Sequence, residues 1–182
     1  MSEYNLYPIF SFVLSLLFLM GAYDAFKIHL TKLKLQNRKE TFNEHKIHTL
    51  QSVILPPMIY LMFIKNSTGI FLWTALLLVF IQLIYTLKDA AEETKSRELF
   101  GGLSPLEYQL HLLMEYLKGI MITLWIVSKP ADAYTFNLTT FNDSYPLYLQ
   151  TIGYIIFILS IFGCISHVSP LLRPNFHHKS RL

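Results

Sequence analysis

Cysteine and charge are both scarce in this sequence. Its single cysteine, Cys164, excludes a disulfide within the 182-residue chain and a cluster of thiolate ligands. Only 15% of the residues are charged, whereas soluble globular domains carry about 25%. These two shortages exclude a disulfide scaffold and a cysteine-zinc domain, and they argue against an ordinary soluble protein.

The motifs of several common enzyme classes are also missing. The sequence contains no Gly-rich phosphate loop and no dinucleotide-binding fingerprint, and its Ser, His and Asp residues do not follow the order of a hydrolase triad. The glycine pair at 101–102 is typical of a loop turn. None of these patterns indicates nucleotide-dependent or serine-dependent chemistry.

Hydrophobic residues, in contrast, make up 53% of the chain. A helix needs about 20 apolar residues to cross a bilayer, and five stretches are long enough: 7–26, 46–64, 69–87, 107–128 and 146–167. No Lys or Arg precedes the first stretch, so it lacks the basic start of a cleaved signal peptide and is expected to be retained. The sequence predicts an all-α integral membrane protein in which residues 1–182 form a single transmembrane domain of five helices.

Basic residues indicate the orientation of these spans. The 27–46 and 88–105 loops and the tail from 167 hold twelve Lys and Arg residues, and the opposite side holds two. Because cytoplasmic loops carry the excess of basic residues, this asymmetry places the N-terminus outside and the C-terminus in the cytoplasm. The net charge of +3 is then explained by topology and by contact with anionic membrane lipids. It does not indicate a nucleic-acid partner.

Two octets of the sequence share one polar skeleton. The segments TFNEHKIH at 41–48 and SPLEYQLH at 104–111 both follow the pattern [ST]-x-x-E-x-x-x-H, and each precedes an apolar run. The preceding span ends in each case near an aspartate, Asp24 or Asp89. This recurrence predicts a duplicated two-helix hairpin, with the first four spans forming a four-helix bundle.

Helix capping explains only part of this skeleton. A hydroxyl residue at the N-cap with Glu three residues later is a capping box, which accounts for the Thr41–Glu44 and Ser104–Glu107 pairs. Capping does not require a histidine four residues after each Glu, where the two side chains share one helix face. We therefore predict a two-metal site with six ligands: Asp24, Glu44, His48, Asp89, Glu107 and His111.

This set of ligands resembles that of the ferritin-like di-iron proteins, which use carboxylates and histidines in a four-helix bundle. Their helical motif is Glu-x-x-His, and the motif here is Glu-x-x-x-His. Oxygen and imidazole ligands without thiolate favour iron, with zinc or manganese as alternatives. The resemblance implies an oxidoreductase that acts on a lipid or another lipophilic substrate from the cytoplasmic face.

Three other functions stay open at this level. Two zinc or manganese ions would activate water in a hydrolase. His48 and His111 would serve as axial ligands in a helix bundle that binds haem b. A non-catalytic membrane protein would carry the repeated histidines by accident. The sequence does not identify a substrate, a redox partner or an oligomeric state.

Five residues near the six predicted ligands have two alternative roles each. The candidates for additional ligands or supporting contacts are His45, Glu93, Arg97, Glu115 and His167. Glu93 and Arg97 would otherwise belong to a solvated helix extension. Glu115 would otherwise pair with Lys118, and His167 would cap a helix C-terminus.

Three further histidines are predicted to lie away from the site. His29 follows Asp24 by five residues, a rotation of roughly 140° on an α-helix, so the two side chains should not face one point. His177 and His178 in the tail are expected to be solvated and replaceable.

Overall fold

A computed structural model describes residues 6–137 and 145–172. Every regular element in this part of the chain is helical. The long helices are α1 (Tyr7–Ala22), α2 (Phe42–Ile59), α3 (Gly69–Arg97), α4 (Pro105–Val127) and α5 (Leu147–Leu171). Two π-helical segments, Tyr23–Leu33 and Tyr60–Ile64, continue α1 and α2, and 3-10 turns occupy Leu35–Asn37, Glu98–Phe100 and Ala131–Tyr134. Within the described residues, five helical stretches are long and apolar enough to cross a membrane, which confirms the predicted number of such helices.

Two of these helices extend well past the ends that hydropathy predicts. The helical path of α1 continues from residue 26 to Leu33, and that of α3 from residue 87 to Arg97. Hydropathy misses both extensions because their inward faces are polar and find polar partners. His29 and Arg97 therefore lie on helical extensions and are buried in the bundle, where hydropathy alone would place them in loops.

The helices are arranged so that α5 belongs to the bundle. Among the described residues, α1 packs extensively on α4 and α5, and α2 packs on α3 and α5. The sequence predicts a bundle of the first four helices, and α5 joins it by contacting both halves. A repeat that relates the α1–α2 hairpin to the α3–α4 hairpin stays a prediction.

Close contact between α5 and the second π segment depends on a glycine. A Cβ atom added at Gly153 would lie 3.1 Å from the backbone oxygen of Phe63. The neighbouring carbonyl of Met62 accepts hydrogen bonds from Trp125 Nε1 at 2.9 Å and from the Tyr145 hydroxyl at 2.8 Å. These side-chain donors satisfy a backbone acceptor of the π segment. They connect that segment to α4 and to the residues just before α5, at the end of the bundle remote from the two octets.

Lys129 is buried at this same remote end. Its ammonium lies 4.6 Å from the centre of the Trp125 ring and 5.6 Å from that of Tyr145, and it donates to the side chain of Asn66. Burial lowers the pKa of Lys129 from 10.5 to about 7.

This shift predicts a pH dependence of stability. Between about pH 7 and pH 10.5 the unfolded chain binds a proton at Lys129 that the folded chain does not, so Lys129 makes the unfolding free energy rise with pH in that window. We expect the Tm of the wild type in detergent, measured relative to that of Lys129→Met, to increase from pH 7 to pH 10. A constant difference across this range would contradict the assignment.

Candidate metal centre

A π-helical turn brings the first two polar side chains of the site together. In the segment Tyr23–Leu33 the backbone follows the i→i+5 pattern of a π-helix, which places residues five apart on one face. His29 Nε2 lies 3.5 Å from Asp24 Oδ1, and the His29 side chain is only 1% exposed. The prediction that these two residues face different directions is wrong, because it assumes α-helical periodicity.

The predicted capping boxes form only in part. Ser104 caps α4, since its hydroxyl oxygen accepts a hydrogen bond from the Glu107 backbone N–H at 3.3 Å. Thr41 occupies the N-cap of α2, but its hydroxyl donates to the Leu35 carbonyl at 2.7 Å and does not cap the helix. The carboxylates of Glu44 and Glu107 both turn inward to the same guanidinium. Capping therefore does not account for either carboxylate.

That guanidinium belongs to Arg97, whose side chain is 1% exposed. Its Nη1 and Nη2 atoms donate to the two carboxylate oxygens of Glu44 at 2.7 and 2.9 Å, a bidentate arrangement. Its Nε and Nη2 atoms donate to Glu107 Oε1 at 2.9 and 2.6 Å. Both glutamates thus accept a hydrogen bond from the same nitrogen atom, Nη2. The two octets therefore converge at this guanidinium.

The aspartates and histidines of the two hairpins pair crosswise. His111 Nε2 on α4 lies 3.1 Å from Asp24 Oδ1 in the extension of α1. His48 Nε2 on α2 lies 3.3 Å from Asp89 Oδ1 on α3. Each aspartate faces the histidine of the other hairpin because α1 packs on α4 and α2 packs on α3. All six predicted ligands therefore lie in one cluster.

Two further carboxylate contacts fix the histidine rings. His111 Nδ1 lies 3.2 Å from Glu93 Oε1, so this imidazole stands between two carboxylates. His48 Nε2 lies 3.7 Å from Glu44 Oε1 in addition to its contact with Asp89. A carboxylate behind a histidine orients the ring and raises the basicity of the nitrogen that faces a metal. Glu93 has this position relative to His111.

His29 lies at the centre of the cluster. Its ring centroid is 4.4 Å from that of His48 and 5.9 Å from that of His111. Among residues 6–137 and 145–172, three groups have ligand atoms within 4.8 Å of one another, and all contain His29: Asp24–His29–His111, His29–Glu44–His48 and His29–Glu93–Glu107. Two atoms bound to one metal at about 2.0–2.2 Å lie about 3.2 Å apart, close to the spacing of Asp24 from His111 and of His48 from Asp89.

Several buried atoms of the cluster make no well-aligned hydrogen bond within the described part of the chain. They are Asp24 Oδ1, His29 Nδ1, Asp89 Oδ1 and Glu93 Oε1. The three carboxylate oxygens each lie 3.1–3.3 Å from an imidazole nitrogen, a spacing that two ligands of one metal ion also have. The donor set therefore fits a cation.

The charge balance of the cluster also calls for additional positive charge. One guanidinium stands among five carboxylates, those of Asp24, Glu44, Asp89, Glu93 and Glu107. Uncompensated charge in a largely buried site is very costly. Two divalent cations would balance the four remaining negative charges, and protonation of the neighbouring histidines is the alternative source of positive charge.

The additional candidates fall into three groups. His45 and His167 stack with ring centroids 5.5 Å apart beside His48, and the His45 Nε2 and His167 Nδ1 atoms have no partner within the described residues. Glu115 instead pairs with Lys118 at 2.5 Å, as their three-residue spacing predicts, and its side chain is 41% exposed. Glu93 and Arg97 belong to the cluster and not to a solvated extension.

Two parts of the site escape sequence reasoning, and one expectation lies outside the described residues. The central position of His29 follows from the π-helical turn, for which the only sequence signal is a polar pair five residues apart. Arg97 is a member of the i, i+4 stripe that begins at Asp89, but its partners come from other helices. His177 and His178 lie in the tail beyond residue 172.

No protein-family model, curated protein or solved structure matches this chain.

Proposed function

We propose that this chain is a membrane-embedded di-metal oxidoreductase that acts on a lipophilic substrate. The observation that carries the proposal is the buried cluster of carboxylates and imidazoles, in which a single guanidinium stands among five carboxylates. Iron suits this set best, because it is rich in carboxylates and contains no thiolate, and zinc or manganese would also bind it. An iron pair would supply the activation of O₂ for oxidation of the substrate.

The contacts suggest two metal positions. Asp24, Glu107 and His111 would hold one ion, with His29 as a shared neighbour and Glu93 orienting His111. Glu44, His48 and Asp89 would hold the other. Arg97 would position Glu44 and Glu107, since both carboxylates bind its guanidinium. The crosswise pairs are also what a duplicated hairpin related by a two-fold axis would produce, which supports the predicted internal repeat.

Haem b is the weaker proposal on geometric grounds. A porphyrin between His48 and His111 would need the space that the His29 ring occupies, because that ring contacts both of the others. The carboxylates beside each imidazole have no role in binding a haem. A Soret band in the purified protein would contradict the di-metal proposal.

The reaction type is tested by comparing two metal-loaded forms of the same protein. The protein is stripped of metal and reloaded with Fe(II) or Zn(II). The proposal predicts that the Fe(II) form consumes O₂ and that the Zn(II) form does not cleave a p-nitrophenyl ester of a fatty acid. Ester hydrolysis by the Zn(II) form without O₂ consumption by the Fe(II) form would identify a hydrolase. If neither O₂ consumption nor ester hydrolysis is observed, the result favours a non-catalytic membrane protein.

We also propose that the cluster lies at the cytoplasmic end of the bundle, on the basis of the basic asymmetry of the loops. After Cys164→Ala, single cysteines at Arg38 and Lys95 should react with an impermeant maleimide only in permeabilised cells. A cysteine at Asn137 should react in intact cells. Labelling of position 38 in intact cells would reverse the orientation and move the site to the other compartment.

A further inference from the structure

The charged part of the cluster lies at the very end of the bundle and is nevertheless buried. Arg97 is the last residue of α3, and Glu44 and Glu107 are the third residues of α2 and α4. These three residues are 1%, 0% and 3% exposed, respectively. The helices end at this level, so the linkers between them must supply the cover that separates the charges from water.

The cover contains a small apolar cluster that is separate from the main core. Among the described residues it is formed by Ile28, Leu33, Leu35, Phe100 and Leu110. Ile28 and Leu110 directly precede His29 and His111 of the metal centre. Phe100 belongs to the 3-10 turn that follows α3. An apolar layer thus adjoins the polar cluster at this end of the bundle.

One linker, residues 34–41, forms a strap between the π-helical extension of α1 and the start of α2. Its Leu35 side chain is 1% exposed and belongs to the apolar layer, whereas Arg38 and Lys39 are exposed. The Thr41 hydroxyl donates to the Leu35 carbonyl at 2.7 Å. The Arg38 guanidinium lies 4.8 Å from the centre of the Phe100 ring, which joins the strap to the other linker.

The backbone at the start of the strap is strained. Lys34 has a φ of 52°, in the left-handed region that disfavours residues with a Cβ atom. The strap has only one deeply buried apolar side chain, Leu35, whereas each long helix contributes several residues to the main core or to the polar cluster. Segments with few buried apolar contacts open locally more often than the core of a fold.

We propose that the strap is a gate to the cluster and that Leu35 is its latch. Water and small ions from the aqueous phase at this end reach the cluster when Leu35 leaves the apolar layer, while the bundle stays folded. Five carboxylates and one guanidinium lie behind the strap. Their net negative charge favours cations among the solutes that enter.

Thiol labelling at position 96 measures access behind the strap. The Ser96 side chain is 2% exposed and makes hydrogen bonds with Arg97 and Glu44, so Ser96→Cys reports on the interior of the cluster. The full-length protein with Cys164→Ala is stripped of metal and treated in detergent with a cationic methanethiosulfonate reagent. Lys95→Cys, at a side chain that is 72% exposed, sets the rate for open access. We expect Ser96→Cys to react at least about 100-fold more slowly.

A latch variant, a matched control and a second reporter make the test specific. Leu35→Ala should raise the labelling rate of Ser96→Cys at least about tenfold, because the closed strap loses buried apolar contacts. Leu35→Val keeps most of the side chain and should give a smaller rise. Leu99→Ala makes the same change as Leu35→Ala beside Phe100, but Leu99 is 57% exposed, and it should leave the rate unchanged. Ala75→Cys reports on the main core of α3, and Leu35→Ala should not raise its labelling.

Equal labelling of Ser96→Cys in Leu35→Ala and Leu99→Ala would overturn the proposal. A parallel rise at Ala75→Cys would also overturn it, because the whole bundle would then have opened.

A role of the gate in metal exchange rests on the proposed function. It predicts that Leu35→Ala releases bound Fe(II) or Zn(II) to a chelator about tenfold faster than Leu99→Ala. Gated labelling in a protein that binds no metal would contradict the proposed function and leave the gate standing. Metal binding with ungated labelling would contradict the gate alone.

Discussion

Replacing Arg97 with Met is expected to lower the unfolding free energy by about 3–5 kcal/mol, because removing one partner of a buried ion pair leaves the other charges uncompensated. The guanidinium is 1% exposed, and it makes hydrogen bonds to Glu44 and Glu107. Its loss would leave these carboxylates and the nearby Glu93 facing one another. Denaturant titration in detergent with a helical CD signal measures the change.

The controls for this variant separate charge from geometry. Arg97→Lys keeps the charge but loses the bidentate contact with Glu44, so an intermediate loss is expected. Lys95→Met removes a cation on the same helix whose side chain is 72% exposed and pairs with Glu92, and it should change stability by less than about 0.5 kcal/mol. Adding Glu44→Gln and Glu107→Gln to Arg97→Met should restore part of the loss. Equal stability of Arg97→Met and Lys95→Met would contradict this role of Arg97.

Removing single ligands should have the largest effect on metal content. Asp24→Asn keeps the volume of the side chain and removes the anionic oxygen that faces His111. His111→Ala removes the partner nitrogen, and we expect both variants to lose at least one metal ion per chain. Glu107→Gln retains the Ser104 cap, because that hydrogen bond uses the backbone N–H of residue 107. We expect this variant to lose metal without unwinding the start of α4.

Glu115→Gln is the matched control for these variants. The change is the same as in Glu107→Gln, and it lies on the same helix, but Glu115 pairs with Lys118 outside the cluster. Its metal content should equal that of the wild type. Equal metal loss in Glu115→Gln and Glu107→Gln would show that the effect does not depend on the cluster.

Periodicity and spacing predict much of this architecture. The apolar runs locate five helices, and the recurring Asp and Glu-x-x-x-His pattern identifies side chains that meet at one end of the bundle. Such patterns are informative because each octet places Glu and His on one α-helical face. The crosswise pairing of Asp24 with His111 does not follow from spacing, since it depends on which helices pack together.

Sequence reasoning misses His29 and names Arg97 without its central role, because both positions depend on local or tertiary geometry. His29 reaches the centre because the backbone changes from α to π at residue 23, a change that side-chain patterns do not specify. Arg97 follows the end of a hydropathy window, where a basic residue ordinarily indicates a loop. Its burial becomes favourable only once Glu44 and Glu107 arrive from two other helices.

The most direct test of the account is the metal content of the full-length protein. The protein would be expressed with iron, zinc and manganese in the medium, purified in detergent without chelating resin, and analysed by plasma mass spectrometry with an absorption spectrum. We expect about two metal ions per chain, with iron preferred, no Soret band, and loss of metal in Asp24→Asn but not in Glu115→Gln. A folded wild-type protein that binds none of these metals, even after reconstitution, would contradict it, and the cluster would then be a network of protonated histidines and carboxylates.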